Sequence, residues 1–295
     1  MENPYIAPAR VKAALRALDL HPSRGMGQNF LIDPTALQAI VAAAELTPAD
    51  TVVEVGPGLG VLTWELLRHV GSLRAVELDR RLAERLRDEF GPDPRLTIIQ
   101  GDILRLPPDA ILDHDAGAVA GAGRSAYKVV ANLPYAITSP VLRHFLEASQ
   151  PPTLIVVLVQ WEVAQRISAQ PGDLSVLAHA IQVYAEPMIM ARVPASSFVP
   201  VPAVDSAILR LRVRAHPAVA ADEVDALMRV IKAGFLHGRK KLSNALPGGL
   251  AAMGTPIAKE HALTVLEGAG VDPSRRAETV TLAEWLEVYR LLKPL

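Results

Sequence analysis

Ten residues, Thr51-Val52-Val53-Glu54-Val55-Gly56-Pro57-Gly58-Leu59-Gly60, restrict the possible folds more than any other stretch of the chain. An apolar, β-branched run passes into a turn carrying three glycines. The residues that follow, Val61 to Val70, place Val61, Leu62, Leu66 and Leu67 at helical spacing. Strand, glycine turn and helix in this order open a βαβ unit, and the turn lets a ligand approach the backbone and the positive end of the helix. From Thr51 to about Val183 strand-like and helix-like segments alternate, the pattern of a parallel sheet wound with helices on both faces.

The spelling of the turn and the ends of the following strands indicate a ligand class. The dinucleotide fingerprint is Gly-x-Gly-x-x-Gly, whereas this chain has Gly-x-Gly-x-Gly after Glu54. That favours S-adenosylmethionine, although nicotinamide and flavin enzymes use relatives of the turn. The strand Leu73–Asp79 ends in an acidic pair, and its Glu77 stands 17 positions past Gly60, close to the spacing at which a carboxylate takes ribose hydroxyls. A further strand, Leu96–Gln100, ends in Gly101-Asp102, where a carboxylate can accept from an adenine amine.

The most chemically specific motif is Asn132-Leu133-Pro134-Tyr135, directly after the strand Lys128–Ala131. Asn132 Oδ1 and the Leu133 carbonyl, fixed by Pro134, offer two in-plane acceptors to an exocyclic amine, and Tyr135 offers a face for the ring. An exocyclic base amine is a poor nucleophile because its lone pair is delocalised. Two acceptors draw the nitrogen toward a pyramidal geometry and expose that pair. The plainer alternative is a turn with a helix-capping asparagine.

At 295 residues with half of them apolar, one large domain and a smaller one are expected. The absence of cysteine excludes disulfides, zinc–thiolate sites and thiol catalysis. No signal-peptide h-region opens the chain, and the longest apolar stretch, Leu154 to Val159, is too short to cross a bilayer, so a cytoplasmic protein is expected. The eight histidines show no metal spacing, and no metal is expected. Net charge is −1, but residues 201–295 hold 13 Lys+Arg against 10 Asp+Glu. Arg239-Lys240-Lys241, Arg275-Arg276 and the set Arg10, Lys12, Arg16 and Arg24 form a phosphate footprint if they share a face, and ordinary solvated charge if they do not.

Asp33-Pro34 opens a helix whose buried stripe is Leu37, Ile40, Val41 and Ala44. Thr153–Val159, Pro187–Val193 and Ser206–Val213 read as strands, and residues 194–202 as a stiff proline-rich loop around Phe198. Residues 113–126 read as a flexible low-complexity insertion. A composition shift over Arg214–Ala221 precedes a helical stripe of Val224, Leu227, Met228, Ile231 and Phe235. The expected organisation is an N-terminal segment, 1–50, that completes the ligand pocket, a main domain, 51–214, and a small helical domain, 215–295.

In order along the chain, several motifs match one family. Gly27-Gln28-Asn29-Phe30-Leu31, Glu54–Gly60, Glu77-Leu78-Asp79, Gly101-Asp102 and Asn132–Tyr135 are followed by Val159-Gln160 with Glu162-Val163-Ala164. Then come Phe198–Ser206 and Arg239-Lys240-Lys241-Leu242-Ser243-Asn244-Ala245-Leu246. In this order the chain resembles the KsgA-type small-subunit ribosomal RNA adenine dimethyltransferases. The resemblance implies a Rossmann-like class I methyltransferase sheet and a small C-terminal helical RNA-binding domain. It implies S-adenosyl-L-methionine held by Gln28, Asn29, Leu31, Gly56, Gly58, Glu77, Leu78, Asp102, Ile103 and Asn132. It makes Asn132, Leu133, Pro134, Tyr135 and Phe198 the catalytic set, with Phe198 stacking on the target adenine opposite Tyr135. It assigns rRNA contacts to Arg239, Lys240, Lys241, Arg275 and Arg276. The implied substrate is two adjacent adenines near the 3′ end of 16S rRNA in an immature 30S subunit, and a monomer is expected. The rivals are a large-subunit adenine methyltransferase conferring macrolide resistance and a non-catalytic assembly or transcription factor. The chain departs from the family pattern at Met26, at Trp161 in place of a lysine, and in a shortened loop after Pro171.

Overall fold

The computed structural model describes residues 3–19, 29–91, 93–114 and 126–292. In chain order the first elements are α1 (Pro8–Ala17), β1 (Phe30–Leu31), α2 (Pro34–Ala43), β2 (Thr51–Val55), α3 (Val61–Leu66), β3 (Ser72–Glu77) and α4 (Arg80–Phe90). Next come β4 (Leu96–Gln100), α5 (Pro108–Leu112), β5 (Tyr127–Asn132), α6 (Thr138–Leu146), β6 (Leu154–Gln160), α7 (Trp161–Ile167) and α8 (Val176–Gln182). They are followed by β7 (Ala185–Val193), β8 (Phe198–Val199), β9 (Ser206–Val213), α9 (Val224–Leu236), α10 (Leu242–Ala252), α11 (Lys259–Gly268) and α12 (Leu282–Leu292).

A strand apolar at nearly every position must be covered on both faces. β6 is the clearest case, with six of its seven residues buried. It lies inside a seven-stranded sheet of order β4-β3-β2-β5-β6-β9-β7. The pairings of β2 with β3 and β5, β3 with β4, and β5 with β6 are parallel, and β9 runs antiparallel to β6. From β2 the chain moves outward to β3 and β4, then returns to the other side of β2 as β5 and β6. That reversal opens a crevice at the C-terminal ends of β2 and β5, where ligands bind in open α/β sheets. The glycine turn and the Asn132 motif sit at those two ends.

Local signals explain the framing helices. Asp33 caps α2 by accepting the Thr35 and Ala36 N–H groups at 2.8 and 3.4 Å, with Pro34 at the first helical position. Asp79 caps α4 in the same way through Arg81 and Leu82. α4 then buries Leu82, Ala83, Leu86 and Phe90, one face at helical spacing. α3 is shorter than its apolar spacing suggests, ending at Leu66, with turn geometry beyond.

The chain divides into two compact units, residues 1–164 with 188–213 and residues 165–187 with 214–295. Sequence reading kept 165–187 with the sheet. Instead Val176, Ala180 and Val183 join the core of α9, α10 and α12, and the Gly172 and Leu174 N–H groups donate to the Glu278 carbonyl at 2.9 and 3.1 Å. The second unit is tightly interlocked. A Cβ on Gly249 of α10 would lie 2.0 Å from the Ala233 carbonyl oxygen of α9, and one on Gly234 would lie 2.4 Å from the Trp285 ring. The low-complexity segment falls largely outside the described residues, at 115–125. Among the described residues no helix is long and apolar enough to cross a membrane.

One buried group in the second unit opposes its stability. His179 of α8 is fully buried, neither ring nitrogen has a hydrogen-bond partner, and its ring lies 5.8 Å from that of Phe235. Burial lowers its pKa from 6.5 to about 4. The unfolded chain therefore takes up a proton near pH 6.5 that the folded chain refuses until about pH 4. Stability is complete above the first value and drains as pH falls to the second, by about 3 kcal/mol. In His179→Leu, thermal unfolding followed from pH 7.5 to 4 should lose much of this decline, and the midpoint at neutral pH should be unchanged or higher.

Candidate active site

The crevice is built from backbone first. Gly56, Gly58 and Gly60 all adopt left-handed backbone, with φ of 65°, 59° and 85°, which side-chain-bearing residues rarely enter. At Gly60 a second constraint applies, because a Cβ would lie 2.6 Å from the Phe90 ring. Over Gly56 there is open space, and the nearest atom to a Cβ there would be Pro134 Cδ at 3.9 Å. The turn after β2 and the motif after β5 thus face each other across the crevice.

Two buried carboxyls shape the interior. Glu77, at the end of β3, accepts the Gly58 N–H through Oε2 at 3.0 Å and the Asp79 N–H through Oε1 at 2.9 Å. Burial raises its pKa despite those bonds. Glu54, inside β2, is 1% exposed and accepts the Thr63 hydroxyl at 2.7 Å. Burial pushes its pKa from 4.5 up to about 8, with the Glu77 charge adding to the effect. Among the described residues neither has a lysine or arginine partner.

The opposite wall comes from β5 and two chain crossings. Asn132 Nδ2 donates to the Asn29 carbonyl at 3.1 Å, leaving Oδ1 as the acceptor of the amide. The Tyr135 hydroxyl is 2.8 Å from Ser206 Oγ, which anchors the ring from its far end. β1 pairs antiparallel with β8, Leu31 opposite Phe198 and Phe30 opposite Val199. The Ser197 hydroxyl donates to Asp33 at 2.7 Å and the Ile32 N–H to the Ser197 carbonyl at 2.9 Å.

The result is a solvent-open cleft between these two walls. Of the residues anticipated from sequence, its walls contain Asn29, Leu31, Gly56, Gly58, Glu77, Asn132, Leu133, Pro134 and Tyr135. Leu78, Asp102 and Ile103 are not among the walls. They follow the ends of β3 and β4, where Leu78 is 66% exposed and Asp102 accepts the Leu104 N–H at 3.0 Å. Gln28 lies outside the described residues. Phe198 departs from expectation. Instead of presenting a face opposite Tyr135 it is 1% exposed, inside the main core, because the Asp33–Ser197 bond and the β1–β8 pairing fold its loop inward. Sequence reading also omitted Phe30, Glu54, Pro57, Val61, Leu62 and Leu82, all in the walls. Glu54 carried a usable signal, as the one charged residue in the apolar strand Thr51–Val55.

The basic residues of the second unit sort into two kinds. The Leu242 N–H donates to the Arg275 carbonyl at 2.8 Å, so the two clusters are neighbours. Arg239, Lys240, Lys241 and Arg276 are exposed. Arg275 has a structural task instead, binding Glu284 and Thr279 at the start of α12. Among the described residues no group of His, Cys, Asp and Glu could hold a metal ion.

The family model for ribosomal RNA adenine dimethylase matches residues 22–288. This chain belongs to that family. A relative called ribosomal RNA small subunit methyltransferase A, from Dehalococcoides mccartyi strain CBDB1, is 44% identical over 278 residues, covering 94% of this chain and 90% of the relative. One of the same name from Geobacillus kaustophilus is 37% identical over 301 residues, covering 100% and 99%. Among solved structures, the 23S rRNA methyltransferase ErmE aligns with a TM-score of 0.68 at 28% identity, covering 90% of this chain and 99% of ErmE. A dimethyladenosine transferase from Plasmodium falciparum aligns at 0.70 with 23% identity over 88% and 95%, a likeness of fold. The class I methyltransferase sheet expected from sequence is therefore present, and membership of this family of methyltransferases brings S-adenosylmethionine as the general methyl donor.

A protonated Glu54 has a consequence for stability in this adenine dimethylase family member. Its unfolded carboxyl loses a proton near pH 4.5 and its folded carboxyl near pH 8, so stability falls as pH rises between them. Glu54→Gln mimics the neutral acid and keeps an acceptor for Thr63. Melting curves from pH 5 to 8.5 should show the wild type losing stability with rising pH and the variant losing markedly less.

Proposed function

We propose that this chain transfers methyl groups from S-adenosylmethionine to the 6-amino groups of two adjacent adenines near the 3′ end of small-subunit rRNA, in an immature particle. The observation that carries this reading is the placement of Asn132–Tyr135 directly across one crevice from the glycine turn and two buried acids that have no lysine or arginine partner among the described residues. A ligand with a cationic end and a ribose suits that crevice, since left-handed glycines leave backbone space over Gly56 and Glu54 and Glu77 offer uncompensated acceptors. S-adenosylmethionine, when bound, supplies an electrophilic methyl group on a sulfonium.

The chain's own residues supply alignment. On this reading Asn29, Leu31, Gly56 and Gly58 cradle the cofactor and Glu77 takes ribose hydroxyls with its remaining lone pairs. Leu78, Asp102 and Ile103 take the adenine end from the rim. Asn132 Oδ1 and the Leu133 carbonyl accept the N–H bonds of the target amine while Tyr135 covers its ring, and Pro134 fixes the carbonyl's direction. Phe198 supports the slot from within the core through Leu31. Rate comes from aligning nucleophile and electrophile and excluding water. Extruding the base from its stack is offset in part by stacking worth roughly 1–3 kcal/mol. Exposed Arg239, Lys240, Lys241 and Arg276 grip the phosphate backbone.

The small-subunit substrate is favoured over the large-subunit one by the names and identities of the relatives, 44% and 37% for small-subunit enzymes against 28% for the large-subunit enzyme. Labelled S-adenosylmethionine offered to undermethylated small subunits and to large-subunit rRNA tests the choice. Label should appear as dimethyladenine in the small subunit, and label confined to the large subunit would refute it. Asn132→Ala should lower transfer by roughly 100-fold or more and leave rRNA binding largely intact. Binding a cation beside Glu54 should expel its proton, so cofactor affinity should strengthen as pH rises toward about 8. Calorimetry in buffers of different ionisation enthalpy should report that proton, and Glu54→Gln should abolish the buffer dependence.

A further inference from the structure

The rim beyond Tyr135 carries a second aromatic group that the proposed reaction does not use. Trp161 follows the last residue of β6, which is parallel to β5 with Leu158 opposite Asn132, so it stands at the same end of the sheet as the cleft. Its backbone N–H donates to the Asp205 carbonyl at 3.0 Å. The next residue, Ser206, is the one that binds the Tyr135 hydroxyl at 2.8 Å. The backbone of Trp161 and the side chain of Tyr135 are thus tied to consecutive residues of one strand entry.

Trp161 is only partly buried and has a guanidinium on its face, with Arg192 Cζ 4.8 Å from the ring centroid. One edge of that guanidinium is engaged, since Arg192 Nε and Nη2 bind Asp205 Oδ2 at 2.9 and 2.8 Å. Asp205 is held in turn by the Ala195 N–H at 2.9 Å. The carboxylate therefore compensates the charge of Arg192 and fixes its plane. At 58% side-chain exposure, Arg192 still offers a flat face. An ion-paired guanidinium stacked on an indole is well suited to a nucleobase. The outward face of β7 continues the surface, with Met188 and Met190 exposed by 53% and 38% in the same alternating series as Arg192.

We infer that Trp161 and Arg192 form a second stacking platform, which receives an unpaired nucleobase flanking the adenine in the cleft. The inference rests on the proposed RNA substrate and adds a subsite to it. Its chemistry tolerates any base, because every base has a π-face. It positions the strand next to the reacting nucleotide without reading its sequence.

Binding of a short unpaired RNA carrying two adjacent adenines tests the platform without requiring catalysis. Trp161→Ala should weaken binding roughly 5- to 100-fold, Trp161→Phe should restore most of the affinity, and cofactor binding by both should match the wild type. Removing the flanking base from the RNA should weaken wild-type binding by a similar factor and cost Trp161→Ala little more. If that abasic RNA costs both proteins equally, or Trp161→Ala binds like the wild type, the platform is refuted. Failure of the wild type to bind the oligonucleotide also refutes it. A wild type that binds with this Trp161 dependence but methylates no rRNA would overturn the proposed reaction and leave the platform standing.

Discussion

The carboxylate of Glu77 is the fixture on which the crevice depends. It closes two backbone hydrogen bonds at once, to Gly58 in the glycine turn and to Asp79 at the start of α4. β2 and β3 are thereby locked together beyond the last rung of their ladder, and the Gly56 N–H extends the same tie to Val76 at 2.9 Å. Removing the carboxylate would leave two N–H donors at a half-buried turn without partners, a cost of order 1–3 kcal/mol each. The acid anticipated as a ribose acceptor is therefore already part of the turn's architecture. Both uses are compatible, because each carboxylate oxygen has more than one acceptor direction.

The opposite wall has no such local fixture and is assembled from distant chain segments. Asn132 is oriented by Asn29, Tyr135 by Ser206, and the β1 crossing by Asp33 and Ser197. The first two bonds tie outlying segments to the sheet, and the third ties the N-terminal crossing to the loop after β7. The residues before β2 and after β7 are therefore parts of the site, and the wall forms only when both have docked.

Those contrasts explain what could be read from sequence. Gly56–Gly60 and Asn132–Tyr135 are contiguous, and their chemistry is written in neighbouring residue types, so the sheet, the turn and most of the cleft walls were legible. The partners separated by 103, 164 and 71 positions left no local trace. Phe198 shows the consequence. Its proline-rich surroundings say that the loop is stiff, but the direction of its ring is set by pairing with Leu31, and that pairing puts it in the core. Residues 165–187 show the same limit at the level of units. Their apolar residues are consistent with either core, and only the packing of Val183 against α9 and the bonds to Glu278 assign them.

Charge gives the crevice its selectivity. Its interior holds two acids with no basic partner among the described residues, and the rest of its walls is backbone and apolar side chains apart from Asn29, Asn132 and Tyr135. Such a space is hospitable to a cation and to a neutral ring, and hostile to a phosphate, whose negative charge would meet the Glu77 carboxylate and the acceptor oxygens of Glu54. A nucleic acid can therefore send a base inside while its backbone stays out. The backbone must then be held by groups other than those that do the chemistry. The exposed cations around Arg239 have the right charge for that task. The net negative charge of the chain is thus consistent with an RNA substrate, because the Glu77 carboxylate that contributes to it lines a place that the phosphates must avoid.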